Sequence, residues 1–249
     1  MGVIYIGDRS VGKTHLAMEL TNPKNEYVKV VKVSDQDYEA LKVGLLDENC
    51  SARPTNTTYQ RDLNIQVRLP AGNKQVIVDW IDSPGEVWRQ SWQSQNQNEW
   101  SKFLDTIRQS EGILLILPPH RGLNFMPGVD VEQFLSQQQW CNRFERWVEF
   151  FCHDCPKARH ILICLNKADL FCDLQREAFQ LAYHLGGAQM NWQQRHNYVS
   201  QRYFRPIHPQ LEQINKNILG LSVRCFITSI YNRSLLELPW IYLASFLAK

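Results

Sequence analysis

Lys13 and Thr14 close a stretch whose spacing suits one task, the holding of phosphate: Gly7-Asp8-Arg9-Ser10-Val11-Gly12-Lys13-Thr14, or G-x-x-x-x-G-K-[ST]. The glycines let successive backbone N–H groups curve around an anion. Lys13 brings a point charge to the β and γ oxygens, and the Thr14 hydroxyl can sit on Mg²⁺. Alone, this stretch predicts nucleotide binding and leaves adenine and guanine open.

Asn166-Lys167-Ala168-Asp169 addresses the base. A carboxylate at Asp169 can accept from the ring N–H and the exocyclic amine of guanine, a pair that adenine does not present. The aliphatic stem of Lys167 can lie against the ring, and Asn166 can tie the base loop to the phosphate loop. A third cluster, Asp82-Ser83-Pro84-Gly85, supplies a carboxylate spaced to hold Mg²⁺ through water and a Gly85 N–H for a γ-phosphate. An ATPase would leave Asp169 without a task.

The elements that must position these residues follow from hydrophobic periodicity. Ile4-Tyr5-Ile6 is a short buried strand feeding the phosphate loop, and a helix starts with His15-Leu16-Ala17-Met18. Residues 24–60 are polar and weakly patterned, with one helix over Tyr38 to Leu46. Leu63–Leu69 and Gln75–Asp82 form a hairpin across Pro70-Ala71-Gly72-Asn73, and the second strand delivers Asp82. Residues 87–110, rich in glutamine and tryptophan, read as a helix with aromatics reaching the core, or as a segment presenting Trp88 or Trp92 to a partner. Gly112–Leu117 and His160–Leu165 are buried strands, with a helix from Phe134 to Phe151 between them. Residues 171–218 are helical with breaks, Leu221–Ile227 is the last strand, and Leu236–Leu247 is a closing helix. Strands alternating with helices predict a mostly parallel sheet with helices on both faces and one antiparallel hairpin at its edge.

At 249 residues the expectation is a single domain over 1–249, with helical or loop insertions around 87–158 and 171–218; a first strand so close to Met1 predicts no domain ahead of it, with one piece of a longer polypeptide as the alternative. The formal charge of +2 is too small to argue for nucleic acid or an anionic membrane. Arg195, Arg202 and Arg205 interleave with Trp192, Tyr198, Tyr203 and Phe204, but this patch is short and reads as a solvated or protein-facing insertion. No apolar run approaches the roughly 20 residues of a membrane span. Met1-Gly2 is followed at position 6 by Ile rather than Ser or Thr, which excludes a myristoylation signal. Seven cysteines, an odd number with two inside apolar strands, point to a reducing, cytoplasmic setting. Cys152-His153-Asp154-Cys155 lacks two further ligands at zinc-like spacing, although Cys141 and His160 could converge on it; it reads as a helix terminus with half-buried thiols.

With all three motifs in this order, each after a strand, the sequence resembles the Ras-like, translation-factor-related class of P-loop GTPases. The resemblance implies a three-layer P-loop GTPase fold, with GTP or GDP and Mg²⁺ as ligands. It implies that Thr228-Ser229 is the last guanine-contacting loop, with Ser229 and Ile230 meeting the base. It implies a threonine in the first switch on Mg²⁺ and the γ-phosphate: Thr55 after Pro54, with Thr57 and Thr58 as rivals. Thr14, Thr55 and Asp82 are thus the metal set, and Lys13, Thr55 and Glu86 the catalytic set. Glu86 departs from the class, which usually places Gln there to orient the attacking water. No arginine finger is assignable, although Arg9, Arg53 and Arg89 lie near the motifs. The implied function is a GTP-binding molecular switch with slow Mg²⁺-dependent hydrolysis. A protein partner would read residues about 50–60 and 85–100; the alternative is a guanine-nucleotide scaffold that does not hydrolyse. The glutamine-rich second switch and the tail Leu235-Leu236-Glu237-Leu238-Pro239-Trp240 also resemble GTPase domains of bacterial multi-component defence systems.

Overall fold

The strand that carries the phosphate loop, β1 (Val3–Gly7), lies in the middle of the sheet and is buried along its whole length. The computed structural model describes residues 2–8, 10–33, 38–47, 59–82, 90–187, 189–218 and 220–247. Around β1 are β2 (Val28–Val33), β3 (Tyr59–Leu69), β4 (Gly72–Asp82), β5 (Gly112–Leu117), β6 (His160–Leu165) and β7 (Ser222–Ile227), in the order β2-β3-β4-β1-β5-β6-β7. β4, β1, β5, β6 and β7 run parallel, so their carboxyl ends emerge at one edge, where ligands of open α/β sheets bind. Among the described strands β3 alone runs in the opposite direction, antiparallel to β2 and to β4. β1, β5 and β6 read as continuous apolar runs because helices cover both faces of the sheet.

The hairpin places Leu69 opposite Gly72, a tighter turn than the spacing predicts. It is not the edge of the sheet, because β2 pairs outside it. Val28-Lys29-Val30-Val31-Lys32-Val33 alternates only until the Val30-Val31 doublet, and the ladder slips there between Val30 and Lys32. Val28 enters the core while Val31 is left half exposed, which hid a strand whose two halves each have period two.

The described helices are α1 (Lys13–Leu20), α2 (Tyr38–Leu45), α3 (Gln90–Gln95), α4 (Gln97–Gln109), α5 (Gln137–Asp154), α6 (Leu174–Leu181), α7 (Trp192–Tyr203), α8 (His208–Asn217) and α9 (Arg233–Leu247). None of them is long and apolar enough to cross a membrane. Phe103 and Ile107 of α4 reach the core; α5 ends at Asp154, with Cys155 buried beyond it. Among the described residues no group of three or more His, Cys, Asp or Glu could hold a metal ion. Arg195 and Arg202 of the arginine–aromatic stretch in α7 are engaged by groups of the protein itself, although Arg202 stays partly exposed. Arg195 is buried, donates to the carbonyls of Leu181 and Ala182, and lies over Trp192; Arg202 pairs with Glu177 at 3.4 Å.

α9 starts three residues before the periodicity predicts, because the Asn232 side chain caps it by accepting from the Leu235 N–H at 3.0 Å. That extra turn carries a clamp. Glu237, fully buried, accepts from the backbone N–H groups of Glu26, Tyr27 and Val28 at 3.1, 2.7 and 3.2 Å, and from Arg233 Nε at 2.6 Å. Arg233 in turn donates to the carbonyls of Glu19, Leu20 and Val28. One ion pair thereby satisfies the end of α1 and the start of β2, groups that the helix and sheet ladders leave over.

Two histidines are built in as neutral acceptors. His120, just past β5, takes the Gly122 N–H on Nδ1 at 3.1 Å, and burial pushes its pKa down to about 4. His196 takes the Cys225 N–H on Nδ1 at 3.1 Å; burial, then the charges of Arg224 and His208, lower it to about 4. Below the ordinary value near 6.5 an unfolded chain binds protons that the folded one refuses, so stability falls as pH drops from about 6.5 toward about 4. We expect a loss of roughly 2 kcal/mol per histidine at the acid end, after allowing for solvent around His196. Urea midpoints at pH 7 and pH 5 check this; an unchanged midpoint would refute it.

Candidate functional site

Gly7 and Gly12 are the two positions where the phosphate loop admits no side chain. A Cβ on Gly7 would run into the Ile116 carbonyl oxygen. Gly12 has φ of 90°, and a Cβ there would stand 2.6 Å from Asn166 Nδ2. Between them, Ser10 is held left-handed, with φ of 61°. The turn brings Lys13 back over the loop: it is buried, and its Nζ donates to the carbonyls of Gly7 at 2.8 Å and Asp8 at 2.9 Å. α1 begins at Lys13 with Thr14 buried beside it. Its N-cap, Gly12, makes no side-chain cap, and the first turn holds no acid, which keeps the positive end of the helix open to an anion.

Asn166 joins this loop to the end of β6. Its Nδ2 donates to the Val11 carbonyl at 2.8 Å, and its Oδ1 accepts from Thr228 Oγ1 at 3.2 Å. Lys167 then adopts the left-handed conformation, φ 61°, uncommon for a residue with a long side chain. The turn is held by the Ala168 N–H on the Thr228 carbonyl at 3.0 Å. Asp169 follows, half-buried, with Oδ1 accepting from Ser229 Oγ at 2.6 Å; the Tyr231 N–H donates to that same hydroxyl. Ser229 thus orients the carboxylate by its side chain while the remaining lone pairs of Asp169 stay available. Ile230 follows in the same loop, half-buried.

Gly7 at the end of β1, Asp8, Ser10, Val11 and Gly12 of the phosphate loop, Lys13 and Thr14 at the start of α1, and Asn166, Lys167, Asp169, Ser229 and Ile230 after β6 and β7 therefore lie at one sheet edge, and two side-chain bonds of Asn166 knit its segment to the phosphate loop and to the segment after β7. Asp82 ends β4 at the same edge, since β4 runs parallel beside β1. Arg9, Thr55, Thr57, Thr58, Gly85 and Glu86 lie outside the described residues, as do Arg53, Trp88, Arg89 and the side chains of Asp82 and Trp92. The residues present fit a nucleotide: a loop with no room for Cβ atoms, an uncapped helix start and an oriented carboxylate. For Mg²⁺ the fitting group is the Thr14 hydroxyl, with Asp82 on the neighbouring strand end; this ion commonly takes one or two protein ligands beside phosphate oxygens.

One role and one group at the site carried no signal in the sequence. Thr228, singled out with Ser229 as a base-contacting loop, also positions Asn166 by donating to its Oδ1. Arg143 of α5 lies 3.9 Å from Asp8 Oδ2. Burial pushes the Asp8 carboxyl up, while Arg143, Lys13 and Arg146 pull it back down.

Residues 4–146 match the model of the Double-GTPase 1 family. No curated protein matches the chain by sequence. Among solved structures it is similar to a GTP-binding protein from the hyperthermophilic archaeon Sulfolobus solfataricus in complex with GDP, at 13% identity and TM-score 0.47. That match covers 98% of this chain but 52% of the other, so the chain spans about half the length of that protein. It is also similar to the G domain of the T. maritima FeoB iron transporter (14% identity, TM-score 0.42, covering 98% and 96%). A further match is the signal recognition particle receptor SRb-GTP/SRX complex from Chaetomium thermophilum (13%, 0.46, covering 98% and 97%).

Proposed function

The chain belongs to the Double-GTPase 1 family, and from that premise we propose that it is a GTP-binding molecular switch with slow, Mg²⁺-dependent hydrolysis, read by a protein partner. The observation that carries the proposal is the Asp169 carboxylate, oriented by Ser229 at 2.6 Å on a loop that Asn166 bonds to Val11 at 2.8 Å. Asp169 accepts from guanine, Ser229 fixes its rotamer, and Asn166 holds the distance between base and phosphates. Lys13 and the first-turn N–H groups of α1 take the β and γ oxygens. Thr14, Asp82 and Thr55 hold Mg²⁺, which supplies charge neutralisation on the γ-phosphoryl group. The partner reads residues about 50–60 and 85–100. Following the narrower resemblance, it is another component of a bacterial defence system, which gene neighbourhood tests. The six described cysteines are free thiols, which supports a cytoplasmic setting.

Competition among GTP, GDP and ATP on purified protein tests the base assignment; equal affinity for ATP and GTP would end it. Turnover with and without Mg²⁺ separates the switch from a non-hydrolysing scaffold.

Glu86 sets the expected rate. An ionised carboxylate can accept from the attacking water but cannot donate to γ-phosphoryl oxygens that gain charge, whereas an amide does both. Glu86→Gln should therefore raise single-turnover hydrolysis about tenfold, equivalent to about 1.4 kcal/mol at the barrier. A strong fall in rate in both Glu86→Gln and Glu86→Ala, with nucleotide affinity unchanged, would instead make the carboxylate the productive base.

A further inference from the structure

Asp8 puts a carboxylate into the loop that receives phosphate, an electrostatic liability unless something governs where that charge points. The backbone around it is already committed to Lys13, whose Nζ donates to the carbonyls of Gly7 at 2.8 Å and Asp8 at 2.9 Å. The ammonium that must take the β and γ oxygens of a nucleotide thus lies beside the residue whose side chain can compete with phosphate for it. Lys13 is buried and the Asp8 side chain is three-quarters covered, so water and salt screen the two only in part.

Helix α5 brings a second cation to the same carboxylate. Arg143 Nη1 lies 3.9 Å from Asp8 Oδ2, and Arg146, one turn further along α5, adds its charge. Burial disfavours the ionised carboxyl; Arg143, then Lys13, then Arg146 offset that. Half of the Arg143 side chain is in water, and an ion pair that open contributes little to stability. Its placement, on an element separate from the phosphate loop, suits another task.

We propose that Arg143 is a positioning residue of the nucleotide site: it draws the Asp8 carboxylate toward α5 and so keeps Lys13 for the phosphate oxygens. The inference rests on the phosphate-binding role of Lys13 given under the proposed function. With Arg143 removed, Lys13 exerts the strongest remaining attraction on Asp8, and the carboxylate turns to it. Nucleotide must then displace an internal counter-charge, which weakens GTP and GDP alike because both bring β oxygens to Lys13. A guanidinium that touched phosphate directly, or one that merely held α5 in place, would not act through Asp8.

The test is a double-mutant cycle on the intact chain, read by calorimetry with GTP and with GDP in the presence of Mg²⁺. Arg143→Met keeps the aliphatic stem at an exposed helix position and should weaken both nucleotides at least about tenfold. In an Asp8→Asn background the same change should cost less than about twofold, because no carboxylate is left to occupy Lys13. Arg143→Lys keeps the charge and should recover most of the affinity that Arg143→Met loses. Equal losses in the two backgrounds would overturn the proposal and make Arg143 a phosphate ligand or a support of the fold. Undiminished affinity in Arg143→Met would overturn it as well. In both cases a wild type that binds GTP leaves the switch standing, whereas a wild type that binds neither nucleotide ends both readings.

Discussion

Replacing Asp169 by Asn should weaken GTP binding by about 2–5 kcal/mol while leaving the phosphate loop unchanged. The carboxylate presents acceptors to two guanine donors; the amide turns one acceptor into a donor facing a donor, and a charged hydrogen bond is lost with it. The Ser229 hydroxyl, 2.6 Å from Asp169 Oδ1, can still donate to the new amide oxygen, which aims the amide nitrogen at the base rather than letting it rotate away. Xanthine carries a carbonyl where guanine carries its amine, so affinity for XTP should rise as that for GTP falls. Competition binding with GTP, XTP and ATP reads both changes. A uniform loss for all three nucleotides would mean that Asp169 supports the loop instead of reading the base.

The largest stability effect belongs to Glu237. Glu237→Ala should destabilise the protein by about 3–5 kcal/mol, because Arg233 keeps its charge in a buried position and three backbone N–H groups lose their acceptor together. Removing the charge from both partners, as Arg233→Met with Glu237→Leu, should recover only part of the loss, since the N–H groups of Glu26, Tyr27 and Val28 stay unpaired. Glu237→Gln, which keeps one oxygen, should fall between. Denaturant midpoints with unchanged m-values measure the series. A loss below about 1 kcal/mol for Glu237→Ala would show that water reaches those N–H groups.

The phosphate and base loops are legible in the sequence because their chemistry dictates residue types at short spacing. Gly12 must lack a Cβ and Asp169 must be an acceptor, wherever the rest of the chain runs. The parallel sheet is legible because β1, β5 and β6 are apolar without interruption. What escapes is long-range or disguised. Arg143 meets Asp8 from a helix far along the chain, and nothing local marks it. Arg233 and Glu237, spaced i,i+4, look like an ordinary surface pair until α9 is seen to bury them. β2 is disguised by its own bulge. The arginines of α7 imitate a nucleic-acid surface, yet Arg195 is there to satisfy the carbonyls of Leu181 and Ala182, where α6 ends.

The clamp on α9 also sets an order for events at the ribosome. Its bonds join residues 205 to 214 positions apart, so the start of β2 cannot be sealed while the chain is still emerging. During synthesis the Glu26, Tyr27 and Val28 amides wait for a helix translated more than two hundred residues later, beside a β2 edge rich in valine. A nascent chain in that state exposes an unlatched strand to its neighbours on the same messenger, which is the situation chaperones attend. Pausing of translation before Arg233 should lengthen that exposure, whereas pausing after Leu247 has left the tunnel should not.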